Sequence, residues 1–148
     1  MNIGTARIVT SGVTLPGIEP SEPGACFEFV LPWPPSTNHY WRYFVIGKQA
    51  RIAMSTRGLN YRRATVAAVG RVKPLTGPLV LDATLHPPTL ARIDLDNRLK
   101  PLLDALTAAG VWADDSQVRE IRARFGVVDR TGGRVEVRIV PLAEAEPI

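Results

Sequence analysis

Cysteine is nearly absent from the 148 residues: Cys26 stands alone, so no disulfide can form within the chain. The only two histidines, His39 and His86, are isolated beside turns. The chain therefore offers no Cys or His set at zinc-ligand spacing and no imidazole placed as a general base. Cys26 reads as a small buried hydrophobe. Long apolar runs are missing as well. Those present extend over a few residues, far short of the roughly 18 that cross a bilayer, and the first residues lack the charged, then apolar, then small-residue order of a signal peptide. The expectation is a cytoplasmic protein with no membrane partner. Internal repeats and low-complexity blocks are also absent.

What is present is an ordinary globular composition, 45% hydrophobic and 22% charged, in a length that suits one domain with one core. The 18 Lys and Arg outnumber 14 Asp and Glu, a net charge of +4, and their distribution says more than the total. Four of the acids, Asp94, Asp96, Asp114 and Asp115, crowd into one stretch, and without them the cationic excess of the remainder widens. Such a surface attracts a polyanion, although many proteins with no nucleic-acid partner carry a similar excess.

Residues 1 to 25 combine Gly, Pro, Ser and Thr with no hydrophobic period and read as a flexible extension. The domain is expected over residues 26 to 142 and a frayed tail over 143 to 148. Phe27, Phe29 and Leu31 alternate with Glu28 and Val30 as in a strand, which Pro32, Pro34 and Pro35 end. A hairpin is expected from Tyr43–Ile46 and Arg51–Met54 about a Gly47-Lys48 turn. Ser55 or Thr56 then caps a helix to about Val69, with Tyr61, Ala64 and Ala68 on one side. Leu79, Leu81, Ala83 and Leu85 form the inward face of a further strand. A second helix is expected to start near Asp96, because Pro101 is cheap only where a helix does not yet need an amide proton, and to end at Gly110. Ile121, Ala123, Phe125 and Val127, and after a turn Val135, Val137 and Ile139, give an antiparallel hairpin signal. The fold class is α+β: a mixed sheet of about four to six strands packed with two main helices.

The informative stretch is Asp94-Leu95-Asp96-Asn97-Arg98-Leu99-Lys100, followed by Asp114-Asp115-Ser116. Two carboxylates two residues apart in extended backbone point the same way, and a third would complete a site for a hard cation. Phosphodiester hydrolysis calls for such a cluster, because Mg²⁺ polarises the phosphoryl oxygen and lowers the pKa of a bound water, while a lysine offsets charge building on the phosphate. Bland readings stand beside this one. Asp94 or Asp96 caps the helix, Lys100 pairs with Asp104 one turn on, and Asp114-Asp115-Ser116 is an ordinary turn. Geometry adds a condition. A helix from Asp96 to Ala109 is about 20 Å long at ~1.5 Å per residue and puts Asp115 at the end away from Asp94 and Asp96. The chain must double back along the helix, or a second subunit must complete the site.

The run from Asp94 to Val118 resembles the signature of the RusA family of Holliday-junction resolvases: Asp-x-Asp-Asn-x-x-Lys, then Asp104-Ala105-Leu106, then Gly110 to Val118. Leu31 to Ser36 with Asn38, Tyr40 and Arg42, Ser55-x-x-Gly58-x-x-Tyr61-Arg62, and Gly132-Gly133-Arg134 extend the resemblance over about residues 27 to 140. The resemblance implies Asp94, Asp96 and Asp115 as metal-binding catalytic carboxylates, Lys100 as the basic catalytic residue, and Asp114 as a supporting metal ligand. It further implies Mg²⁺ or Mn²⁺ as cofactor and a homodimer that nicks a four-way DNA junction symmetrically in recombination and repair. Family members often carry several arginines before the first aspartate, whereas here only Arg92 remains. Asn38, Arg42, Lys48, Arg51, Arg62 and Arg134 are the other expected DNA contacts, each with the alternative of a solvated surface group. Trp112 is expected to pack and Trp41 is left open between packing and base stacking. The rival functions are a branched-DNA-binding module that does not cut, a nuclease preferring flaps or forks, and a structural dimerisation protein.

Overall fold

Where apolar residues alternate, strands form, and where they continue unbroken, a strand is buried on both faces. In the computed structural model the described residues are 7–10 and 25–148. Strand β1 (Arg7–Thr10) pairs antiparallel with β2 (Ala25–Pro32), and β2 pairs antiparallel with β7 (Arg134–Pro141). β7 is antiparallel to β5 (Leu79–His86), which runs parallel to β6 (Val118–Phe125). The resulting mixed sheet has five strands in the order β1-β2-β7-β5-β6. The α+β expectation therefore holds. Arg7–Thr10 is a strand, and Ala25 opens β2, within the segment read as a flexible extension; residues 1–6 and 11–24 of that expectation lie outside the described residues.

The main disagreement concerns the last two strands. Residues 121–127 and 135–139 read as a hairpin, yet β6 and β7 do not pair: β5 lies between them. The reason is in β5 itself. Leu79, Leu81, Ala83 and Leu85 face the main core, while Val80 on the opposite side packs with Cys26 and Val140, so β5 takes a central place. β6, with Arg119, Glu120, Arg122 and Arg124, suits an edge. The segment after β6 crosses the end of β5, where the Gly126 amide donates to the Leu85 carbonyl (2.8 Å) and the Asp129 amide to that of Pro87 (2.8 Å). At the edge, Ile121, Phe125 and Val127 are exposed rather than inward.

The two main helices are α2 (Thr56–Val69) and α3 (Asp96–Ala108), packed on the sheet through Val69, Leu102 and Leu106. Fully buried, each such leucine contributes about 1.5–3 kcal/mol by leaving water. Ser55 caps α2, its side chain accepting from the Gly58 amide. The buried side of α2 is Gly58, Tyr61, Thr65 and Val69; Ala64, expected with them, is exposed. Gly58 is required by proximity, because a Cβ there would stand 2.7 Å from the Tyr40 carbonyl oxygen. A single helical turn, α1 (Thr37–Tyr40), leads into the separate hairpin of β3 (Trp41–Ile46) and β4 (Gln49–Met54), as the sequence predicts.

Pro101 lies inside α3, beyond the first turn where it was expected. A proline there leaves the carbonyl four residues earlier, that of Asn97, without its helical donor. The Thr37 hydroxyl supplies one instead, donating to the Asn97 carbonyl at 2.9 Å. This bond ties the segment after β2 to the start of α3. Among the described residues no helix is long and apolar enough to cross a membrane.

Candidate active site

Asp94 precedes α3 and Asp96 is its first residue, so both stand at the helix end where unsatisfied N–H groups favour negative charge. Neither caps it. Leu95 occupies the N-cap position in helical conformation, with no side-chain cap bond. The Asp94 carboxylate accepts a long bond from the Asn97 side chain (3.3 Å), and Asp96 has no partner among the described residues. Both are exposed.

Whether Asp115 can join them depends on the path after α3. Gly110, at a φ of 78°, turns the chain as only glycine does readily. Val111 and Trp112 then plunge into the core. The Trp112 indole N–H donates to the Thr107 hydroxyl (2.7 Å), which itself donates to the Leu103 carbonyl (2.9 Å). The chain thus doubles back along α3, and a short 3-10 turn (Asp115–Gln117) brings the Asp115 carboxylate within 3.6 Å of the Lys100 ammonium of the same chain. The same ammonium donates to Asp104 at 2.8 Å. The bland pairing of Lys100 with Asp104 is therefore real, and Lys100 also bridges to Asp115. The hydrogen bond that Lys100 donates to Asp104 leads the effects that hold its pKa above the usual value, with Asp115 adding to it.

The acidic turn is held by a residue that sequence reasoning gave no role. Gln117 accepts from the Ala113 amide (2.9 Å) and the Asp114 amide (3.2 Å), and donates to the carbonyls of Leu75 (3.0 Å) and Gly77 (3.1 Å). Its position three residues after Asp114, as in a capping box, was the available signal. Asp114 accepts from the Ser116 hydroxyl (2.7 Å), and this bond above all lowers its pKa.

A second unassigned residue, Arg98, fastens the Pro-rich segment to α3. Its Nη1 donates to the Pro34 carbonyl (2.8 Å), and its guanidinium carbon lies 5.2 Å from the centre of the Trp33 ring. Burial, and then the charge of Arg57, lower its pKa. Trp112 packs as expected; Trp41 is partly buried, edge-on to Tyr40 with ring centres 5.1 Å apart.

The expected DNA contacts fall on several elements. Asn38 lies in α1, while Arg42 and Arg51 project from one face of the β3–β4 hairpin with Lys48 at its turn. Arg62 is exposed on α2 and Arg92 in the loop before Asp94. Arg134 differs, because its guanidinium is engaged by Asp129 (3.0 Å) and Glu136 (3.1 Å).

Among the described residues no three Asp, Glu, His or Cys side chains converge closely enough to hold an ion as they stand. In kind, the donor set fits a hard divalent cation: carboxylate oxygens, part exposed, with no sulfur or imidazole among them.

The family model for "Endodeoxyribonuclease RusA" matches residues 32–140. Crossover junction endodeoxyribonuclease RusA of Escherichia coli strain K12 is 35% identical over 119 residues, spanning 78% of this chain and 95% of that protein. The corresponding protein of Enterobacteria phage 82 is 35% identical over 123 residues, with 78% and 95% covered. With the matched span taking in Asp94, Asp96, Lys100, Asp115 and Gln117, the chain belongs to the RusA family of endodeoxyribonucleases.

Proposed function

We propose that this protein is a crossover junction endodeoxyribonuclease that resolves four-way DNA junctions with Mg²⁺ or Mn²⁺, acting as a homodimer. The observation that carries the reading is the return of the chain along α3, which sets Asp115 beside Lys100, one turn from Asp96, without help from another subunit. Asp94, Asp96 and Asp115 would hold the metal, with Asp114 in support. When bound, a divalent ion supplies Lewis-acid polarisation of the phosphoryl oxygen and a more acidic water.

The chain's own residues do the rest. Lys100, fixed by Asp104 and Asp115, sets a positive charge where the phosphate gains negative charge during substitution. Gln117 keeps Asp115 at that distance. Asn38, Arg42, Lys48, Arg51, Arg62 and Arg92 offer contacts to phosphates beyond the cut. Arg134 is the weakest candidate among them, since two carboxylates already hold it. A two-fold symmetric junction is naturally met by an isologous dimer, each subunit bringing one site.

The test is cleavage of a labelled four-way junction beside a matched linear duplex and a flap, in Mg²⁺ or EDTA, by the wild type and Asp96→Asn. Paired symmetric nicks in the junction, requiring both the metal and Asp96, are expected. Junction binding without cutting would leave a shape-recognising module, and preferential flap cutting would reassign the substrate.

A further inference from the structure

Arg98 is a part-buried cation that feels the charge of Arg57 and for which the described protein supplies no carboxylate. Arg98 is partly buried; its Nε is shielded from solvent with no acceptor, and its hydrogen bond to Pro34 uses one donor of the guanidinium fork. Trp33 covers it at 5.2 Å. Arg57, in the first turn of α2, repels it electrostatically and makes no hydrogen bond or ion pair among the described residues. A charge that is partly removed from water and faced by another of the same sign is unfavourable until an anion arrives. Asp94 and Asp96, so near in sequence, do not serve: neither pairs with Arg98.

Position says which anion. Arg98 is two residues from each of Asp96 and Lys100 at the start of α3, so it leaves the same helix end on another face, toward Pro34 and Trp33; its bond to Pro34, with that from Thr37 to Asn97, makes one rigid unit of the segment after β2 and the helix start. Planar guanidinium forks match phosphate oxygens, and a fixed fork loses little freedom on binding. We propose that Arg98 and Arg57 together grip a DNA backbone phosphate next to the one placed at the acidic centre, setting the register of the strand to be cut. The proposal rests on the reading of the protein as a junction nuclease.

The experiment measures binding of a fluorescent four-way junction by anisotropy in EDTA, so that no cutting intervenes, over a series of KCl concentrations. The proteins are the wild type, Arg57→Gln, Arg98→Gln, the double variant and Arg98→Lys. Losing one phosphate contact lowers the slope of log affinity on log salt by about 0.9, so the double variant should fall by about that much and each Gln variant by part of it. Arg98→Lys keeps the charge and should hold the wild-type slope while losing the bond geometry. Arg57→Gln guards against misfolding, because Arg57 is exposed and makes no bond the fold needs. A double variant that binds more weakly with an unchanged slope would overturn the proposal, leaving Arg98 as a fastener of the loop. A wild type that does not bind the junction would sink the nuclease reading and the proposal with it, which a changed variant on a binding wild type could not imitate.

Discussion

Replacing Gln117 with alanine removes four hydrogen bonds at once, and the structure allows the cost to be worked out. Three of them, to the amides of Ala113 and Asp114 and to the carbonyl of Gly77, lie at exposed positions where water takes over; the bond to the Leu75 carbonyl is part-buried. Taking about 0.5 kcal/mol for each exposed bond and about 1 for the part-buried one gives a loss of about 2–3 kcal/mol. For a chain of this size that lowers the melting temperature by roughly 4–12 °C. The functional cost should be larger, because the freed turn no longer holds Asp115 beside Lys100, and a displacement of about 1 Å at a reacting centre slows reaction about 10²-fold. The assay pairs urea unfolding with single-turnover junction cleavage well below the melting point, and junction affinity in EDTA serves as control. Gln117→Glu keeps the acceptor for the two amides but faces the Leu75 and Gly77 carbonyls with negative charge, so it should be no better than alanine. Loss of stability with an undiminished cleavage rate would refute Gln117 as the residue that positions Asp115. No change in either would refute the hydrogen-bond account of the turn.

Two further outcomes follow from the turn before β7. Asp129 is hydrogen-bonded by Thr131, by side chain and amide, and then by Arg134, which hold its pKa down to about 2. A lowered pKa contributes stability that is fully present above the unfolded value of about 3.9 and is lost as pH falls through about 2. Acid unfolding of Asp129→Asn should therefore lose part of its pH dependence between those limits, while an unchanged acid profile would contradict the assigned bonds. Gly133 has a φ of 77°, and an added Cβ would stand 2.9 Å from the Pro88 ring and 3.0 Å from the His86 carbonyl oxygen. Gly133→Ala should cost more than the ~1 kcal/mol expected of left-handed backbone alone, measured as a fall in the urea midpoint; an unaffected midpoint would show that the turn adapts freely.

Much of the site was legible in the sequence because its chemistry is carried by a contiguous run. Asp94, Asp96 and Lys100 lie in one helical start, and the i, i+4 spacing of Lys100 and Asp104 fixes their ion pair from helix geometry alone. Gln117 and Arg98 were not legible as functional residues, since what they bind is backbone far away in sequence: Leu75 and Gly77 for one, Pro34 for the other. The face of α2 was misjudged for a similar reason. Alanine and threonine have nearly equal claims on a half-apolar helix, and only packing selects Thr65 over Ala64.

The sequence by itself determined the local periods: the strand alternations, the Ser55 cap, the Gly110 stop and the clustering of carboxylates, all of which depend on residues within a turn or two of one another. Tertiary structure decided who neighbours whom. Strand pairing depends on which strand can be buried on both faces, so β5 took the place beside β7 that proximity in sequence would have given to β6. Likewise the chain turned back along α3 because Val111 and Trp112 are buried in the core. That burial, which no short-range pattern encodes, is what brings Asp115 to Lys100.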